Sequence, residues 1–599
     1  MGAIGAALVR IGPAQAEFGH RMNVAVPHRG TVTEVLLQGA CVLSIVRSPA
    51  LPDAALATTG KLAIAFVGRL DNLPDVAGWL EKRGAAQVSR DPASVVLGAF
   101  EALGEDAPNR LRGMFAAAVT DGSRLWAFRD HLGFCSLFYH DAPGAFVAAT
   151  EAKQVAAAAQ IAVEPDPQVL ERIFYGRLDD SMTCAVKGVQ RLPKSCVIVA
   201  EGGGASTRRY WFPERLLETA RPSDDEVRER FDLLMTQAVS RTMSGDDVIS
   251  LSGGIDSSAV AAYAAPLHLK ATGRPIAALS AIYPSAPTVD ERRYIEMSAR
   301  DLQMALHTYE PAAKPTDRLQ EWVRLCDGPV PTVSLPEIAE SYRLAAELGF
   351  RTILTGTLAE FVYDMRRHLV THLVWHGRLG ALWNHMAAER SRGASTLALG
   401  RRVLSALVPR PLASLLIRVR GSDHGPGIPN WLDPRKVNEV PYFVDLTVPH
   451  RRRWLEQQLL AFPGPGLSLE ADELCAATCG VRVRRPLADV DLWEFFLSLP
   501  AEVKFPDNRS KTLIRRLLRG KVPDAILDRT DKTVFNEAAL ARIDYATLRR
   551  WLITPRHRLA GVKYDVLAER LERQDFRIVD FMWAKDLAGI HAFLALWDS

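Results

Sequence analysis

The residues best equipped for chemistry lie in one run, VISLSGGIDSSAVAA, from Val248 to Ala262. An apolar segment ends at Leu251, Ser252-Gly253-Gly254 follows, and Asp256, Ser257 and Ser258 open a helical pattern. Glycines at a strand end let the backbone turn sharply and approach a ligand closely. A helix starting just after them offers unpaired N–H groups and a positive dipole end, which together cradle an anion. The hydroxyls of Ser252, Ser257 and Ser258 add donors. Asp256 has the wrong sign for a phosphate and implies a bridging Mg2+. The run predicts a pyrophosphate site with a metal. It is not the Walker loop, because no G-x-x-x-x-G-K-[ST] occurs in the chain.

The surrounding pattern supplies the elements such a site needs. Short apolar runs, DVISL, IAALSAIY and RTILTG, alternate with amphipathic helices from RPSDDEVRERFDLLMTQAVSRTM onward, which predicts a parallel sheet covered by helices. The last third reads as mostly helical. The first 210 or so residues are different. Apolar runs such as KLAIAFVGRL and SCVIVA are broken by turn signals, with TDGS (Thr120 to Ser123) a hairpin and DPASVVLGAFEALGE a helix starting near Asp91. EGGGASTRR, from Glu201, is too rich in glycine and small polar residues to build a core and reads as the linker. Residues 366 to 420 are rich in Arg, His and Trp. They fit either a solvated helical layer or a basic, aromatic surface for a peptide or protein partner.

A chain of 599 residues is too long for one core, and 48% hydrophobic with 24% charged residues is ordinary for a soluble globular protein. A net charge of +4 gives no reason to expect a nucleic-acid partner. Seven cysteines, odd in number and without framework spacing, argue against a disulfide scaffold and fit a reducing compartment. Cys475 and Cys479 can share a helix face but have no further ligands nearby, and read as buried thiols. Neither a signal peptide nor an apolar run of membrane-spanning length is evident, so no membrane association is expected and the cytoplasm is the expected location.

The full S-G-G-I-D-S-S resembles the PP-loop of ATP pyrophosphatases. Later segments extend the resemblance to the asparagine synthetase-like amide ligases. RTILTGTLAEFVYD resembles the family's L-[ST]-G-x-G-A-D-E, which puts Thr355 and Gly356 beside the nucleotide and Glu360 where the family has a metal-binding Asp. CGVRVRRPLADVDLWEFF resembles G-x-E-x-R-x-P-x-x-D. Arg484, Pro486 and Asp489 match, and Arg482 stands where the family has Glu. NRSKTLIRRLLRGKVPDAILDRTDKTVF supplies Lys511, Arg515 and Lys532, and SAPTVDERRYIEMSA places Asp290 and Glu291 near the site. The resemblance implies Lys532, Glu360 and Arg515 as catalytic residues. It implies Leu251, Ser252, Gly253, Gly254, Asp256, Ser257, Ser258, Thr355, Gly356 and Lys511 as the ATP site, with Asp256 and Glu360 on Mg2+. Glu337, Glu340 and Glu360 are candidate bases by their place in the sequence.

The N-terminal part resembles the glutamine amidotransferase half of the same family. Active members carry a nucleophilic Cys after the initiator Met and an Asn before a Gly in the oxyanion hole. Here those positions are Gly2 and Val67, the latter before Gly68, and the first thiol is Cys41. Asp91 and Gly68 match but are expected to survive as structure. The resemblance implies an α+β, Ntn-type sandwich at 1–205 without glutaminase activity, a linker at 206–222, and an α/β PP-loop ATP pyrophosphatase domain at 223–599 with a largely helical C-terminal part and a basic, aromatic insertion at 366–440. Without internal ammonia the attacking amine comes free in solution or with the substrate. Two family branches close rings this way: β-lactam synthetases and lasso-peptide macrolactam cyclases. The former carry Tyr where this chain has Thr357, and the insertion is more like the latter. The expected activity is a lasso cyclase acting on a precursor peptide, alongside a leader peptidase and a leader-peptide-binding protein. A small-molecule amide ligase and a non-catalytic scaffold with a decayed site are the alternatives, the last supported by Glu360 and Arg482.

Overall fold

A computed structural model describes residues 1–84, 89–175, 183–216, 219–220, 222–330, 332, 334–358, 369–391, 393–408, 428–438, 464–504, 509, 511–529 and 536–597. In the second half five strands form one sheet: β1 (Asp247–Ser250), β2 (Ala277–Ala281), β3 (Ala305–Tyr309), β4 (Thr352–Leu354) and β5 (Arg482–Arg484). All pairs are parallel, in the order β3-β2-β1-β4-β5. Helix α1 (Ile255–Thr272) follows β1, α2 (Arg292–Asp301) follows β2, and α3 (Leu335–Glu347) precedes β4. β1, β2 and β4 are almost wholly buried, as strands covered on both faces must be, and their apolar runs are legible for that reason. Two strands escaped the sequence reading. β3 lies at the sheet edge with His307 and Thr308 in it, and β5 reads Arg-Val-Arg. The order reverses between β1 and β4, so the loops leaving their carboxyl ends diverge and open a crevice there.

The first half is a sandwich of two six-stranded antiparallel sheets. One runs, in spatial order, Gln190–Arg191, Phe138–Asp141, Ala145–Ala149, Ala3–Val9, Cys41–Arg47 and Val32–Gln38; the other runs Gly204–Arg209, Cys196–Glu201, Leu125–Arg129, Gly113–Thr120, Ala63–Leu70 and Ala54–Thr58. Ile4, Ala6 and Leu8 face the second sheet, while Ala7 faces the helix pair Ala16–Val24 and Ala152–Ala159, which is the period-2 alternation of a strand buried on both sides. Helix Pro92–Leu103 covers the second sheet, and the expected TDGS hairpin joins two of its strands.

The linker assignment is corrected by this sheet. Glu201 pairs with Gly204 and Cys196 with Arg209, so Gly202-Gly203 is a two-residue hairpin turn and residues up to Arg209 are strand. Tyr210 and Trp211 still belong to the buried core. The strand's solvent-facing polar side chains hid it from a composition argument. The insertion is also divided. Helices Leu369–Trp375, Leu379–Ser391 and Thr396–Leu407 carry Trp375, Leu379, Trp383, Leu397, Leu404 and Leu407, each more than half exposed. Trp431, by contrast, is fully buried against the C-terminal helix Ile578–Leu594, its Nε1 donating to Asp580 at 3.3 Å. All seven cysteines are free thiols, and no described helix is long and apolar enough to cross a membrane.

Ion pairs join the two halves. Arg112 meets Asp491 at 2.7 Å, Asp75 meets Arg241 at 2.8 Å, Arg129 meets Glu470 at 2.9 Å, and Lys153 meets Asp327 at 3.3 Å. Beside this seam Asp489 caps helix Val490–Ser498 through the Leu492 N–H, 3.5 Å from Arg241. Burial, and then the charge of Asp491, push its carboxyl up to about 6. A raised folded-state value means that the group's contribution to stability is complete at acid pH, below the unfolded carboxyl value, and is lost as pH rises through about 6. Wild-type protein is therefore expected to lose on the order of 1 kcal/mol between pH 5 and pH 8 from this group. Asp489→Asn keeps a capping oxygen and should flatten that slope in urea unfolding at the two pH values.

Candidate active site

The run SGGIDSS sits at the carboxyl end of β1, beside the strand-order reversal. Leu251 fixes its entry: its N–H donates to Leu279 O at 3.1 Å, and its carbonyl accepts from Ser280 Oγ at 2.7 Å. Gly253 has φ +73°, and a Cβ there would lie 3.1 Å from Tyr294 Cβ at the start of α2. Both the conformation and the close approach need glycine. Ser252 N–H donates to Ser257 Oγ at 3.1 Å and the two hydroxyls meet at 3.0 Å, so the loop is braced from within. Gly254 is the N-cap of α1 and no side chain caps that end, which leaves the first-turn N–H groups to a ligand. The helix is 18 residues long, so its dipole is fully developed at the loop.

The second wall is the turn after β4. Thr355 N–H donates to Arg484 O at 2.9 Å, and Thr355 Oγ1 meets Thr357 Oγ1 at 2.8 Å. A Cβ on Gly356 would stand 2.6 Å from both Asp256 C and Ser257 N. Gly356 is therefore the point at which the two walls touch through backbone. Asp256 accepts an ion pair from Lys511 Nζ. The crevice thus holds two serine hydroxyls, an uncapped helix end, an ammonium and a carboxylate. That donor set fits a polyphosphate with a hard divalent cation, whose oxygen ligands would include Asp256.

The other expected residues divide by where their side chains go. Ser258 is fully buried and pairs with Ser298 Oγ at 3.1 Å, facing α2 rather than the crevice. Asp290 accepts from Arg292 N–H at 3.1 Å at the start of α2. Glu291 lines a cavity with Ser252, Tyr283, Tyr309 and Ser341, and pairs with Arg529 at 2.7 Å. Arg515 donates to the main-chain carbonyls of Leu527 and, at 3.0 Å, Arg529. It holds the segment leading toward Lys532. Lys532 and Glu360 themselves lie outside the described residues. Of the candidate bases, Glu340 accepts the N–H groups of Ala312 and Ala313 at 3.0 and 2.9 Å, so its oxygens serve the backbone. Glu337 pairs with Arg542 at 2.8 Å, and burial pushes its carboxyl up.

Tyr283, Tyr309 and Ser341 were missed by the sequence reading. Tyr283 ends the run IAALSAIY, and its place just past the carboxyl end of β2 was the signal available. Tyr309 closes a strand that was itself unread.

In the first half Gly2 heads strand Ala3–Val9, its N–H donating to Asp53 Oδ1 at 2.8 Å. A Cβ there would lie 2.5 Å from Val46 O and 2.9 Å from Ala54 Cβ. Cys41 is buried and its thiol is pushed up to about 11 by that burial. Val67 is fully buried in its strand, and Asp91 caps helix Pro92–Leu103 through Ser94 N–H at 2.9 Å.

A family model described as asparagine synthase matches residues 230–577, and one described as a glutamine amidotransferase domain matches residues 3–211. The glutamine-hydrolysing asparagine synthetase 3 of Bacillus subtilis is 25% identical over 484 residues, covering 78% of this chain and 74% of its own. The carboxyethyl-arginine beta-lactam-synthase of Streptomyces clavuligerus is 29% identical over 260 residues, 42% of this chain and 46% of its own.

Gly356→Ala is the sharpest test of the crevice. It should raise the dissociation constant for a nucleotide triphosphate at least tenfold, read by fluorescent-nucleotide titration, while the far-UV circular dichroism stays unchanged.

Proposed function

The chain belongs to the asparagine synthase family, and from that premise we propose that it is an ATP-dependent lasso-peptide cyclase. It adenylates an Asp or Glu side chain of a precursor peptide and closes an isopeptide ring with that peptide's N-terminal amine. The observation that carries the reading is the closed site at Gly2. There is no thiol there, and the Val46 carbonyl and Ala54 occupy the space a side chain would need. With no ammonia made internally, the amine is one that the substrate brings.

In the first step a substrate carboxylate oxygen bonds to the α-phosphorus of ATP and the bond to the β-phosphate oxygen breaks. The leaving pyrophosphate is received by Ser252, Gly253, Gly254 and Ser257 at the α1 end. A magnesium ion held by Asp256, with Glu360 as second carboxylate, would offset the phosphate charge. In the second step the amine bonds to the acyl carbon, the acyl–oxygen bond breaks and AMP departs. Glu337, near Tyr283 and with its carboxyl pushed up by burial, is the carboxylate proposed to take the amine's proton. Lys532 keeps the role the family resemblance gives it, charge stabilisation at the phosphates. Holding amine and acyl group together supplies about 7–11 kcal/mol of the acceleration.

The exposed Trp375, Trp383 and neighbouring leucines on these helices support a peptide-sized substrate or its carrier protein. A second reading, a small-molecule amide ligase, is supported by the similarity to the beta-lactam synthase. Against its β-lactam form, Thr357 has no phenol, and its hydroxyl is bonded to Thr355.

Purified protein with ATP, Mg2+ and a leader-cleaved candidate peptide should release AMP and pyrophosphate and return the peptide 18 Da lighter. Asp256→Ala should lower that rate at least a hundredfold. AMP release with small amino acids and none with any peptide would replace the cyclase reading by the second one. Gly2→Cys is expected to leave glutamine hydrolysis undetectable in a glutamate-release assay, because the new side chain meets backbone.

A further inference from the structure

Asp53 was not singled out by the sequence, yet it stands at the centre of the retired glutaminase site. Its carboxylate accepts the Gly2 N–H at 2.8 Å, and its own carbonyl accepts the Gly68 N–H at 2.8 Å. It thus touches the position where an active relative would place its nucleophile, and the glycine that follows the oxyanion-donor position Val67. Its carboxylate, 8% exposed, also faces Arg482 Nε of the other half at 3.8 Å. Arg482 is the residue whose charge is reversed against the family pattern. Two positions on, Arg484 is nearly fully buried and forms an ion pair with Asp71 of the first half.

These two arginines are the ends of β5, a strand of three residues paired only with β4. So short an edge strand has little ladder to fix it. The carbonyl of Arg484 nevertheless holds the Thr355 N–H, and the next residue, Gly356, lies against the main chain of Asp256. A path of direct contacts runs from Asp53 and Asp71 through Arg482 and Arg484 to the wall of the crevice.

We infer that Asp53 and Arg482 are positioning residues for the nucleotide site: the emptied glutaminase centre has become the anchor that holds β5, and through it Thr355 and Gly356, in register. The inference rests on the crevice being the ATP site of the proposed function. The reversal at Arg482 then has a cause. A Glu at that position would face Asp53 and repel it, whereas Arg pairs with it. The first half is retained because its spent centre supplies the countercharge.

The test uses the full chain with Arg482→Glu, Arg482→Lys, Asp53→Asn and the double variant Asp53→Asn/Arg482→Glu. Asn keeps an oxygen for the Gly2 N–H while removing the charge. Two readouts are taken: hydrogen exchange of the Thr355 amide, and the KM for ATP against kcat in ATP–pyrophosphate exchange. Arg482→Glu should speed Thr355 exchange at least tenfold while the β2 amides keep their rates, and should raise KM several-fold more than it lowers kcat. Arg482→Lys should stay within twofold of wild type. In the Asp53→Asn background the Glu substitution should cost at least threefold less. Equal cost in both backgrounds, or unchanged Thr355 exchange in Arg482→Glu, overturns the inference. The exchange readout needs no activity, so a wild-type protein that ignores ATP would defeat the ligase reading while leaving the anchor separately answered.

Discussion

Gly356 against the main chain of Asp256 and Ser257 is the contact on which the rest of the site depends. With a notional side chain on Gly356 only 2.6 Å from that main chain, the turn after β4 and the start of α1 touch through backbone. That approach is possible because β1 and β4 are parallel neighbours whose loops leave the same end of the sheet. It sets the distance between the two walls beside the pair of Lys511 and Asp256. Any residue larger than glycine would separate the two walls and with them the polar groups that line the crevice.

The second constraint is electrostatic. Arginines and carboxylates cross between the two halves, several of them almost fully buried, beside apolar clusters that also run from one half into the other. Such pairs contribute little net stability, since desolvation offsets much of the attraction, but removing one partner leaves a costly lone charge. The ion pairs therefore fix orientation, while the apolar clusters shared by both halves supply the stabilising burial. Arg484 shows the economy of the arrangement, its guanidinium binding one half while its carbonyl serves the active site of the other.

Much of this was legible in the chain. SGGIDSS was legible as a strand-to-helix turn because small residues, hydroxyls and a helix start follow in immediate succession, all local features. Strands β1, β2 and β4 were legible because burial on both faces leaves mostly apolar residues. β3 and β5 were not, because an edge strand and an interface strand are free to be polar, and the hairpin after Glu201 was taken for a linker for the same reason. Ser258 and Glu340 looked like site residues from their places in the sequence, and only their partners, Ser298 and the backbone of Ala312 and Ala313, show otherwise.

The sequence by itself determined the two-domain organisation, the glycine- and hydroxyl-rich turn between β1 and α1 and the absence of a thiol at Gly2, since each depends on residue type at one place or on a local pattern. The tertiary structure alone decided that Tyr283, Tyr309 and Ser341 share a cavity, that Gly2 has no room for a side chain, and that Arg482 meets Asp53. These pairings join residues tens to hundreds of positions apart. Side-chain identity fixes what a group can bind, but only the packing of sheets and domains fixes which groups come within reach.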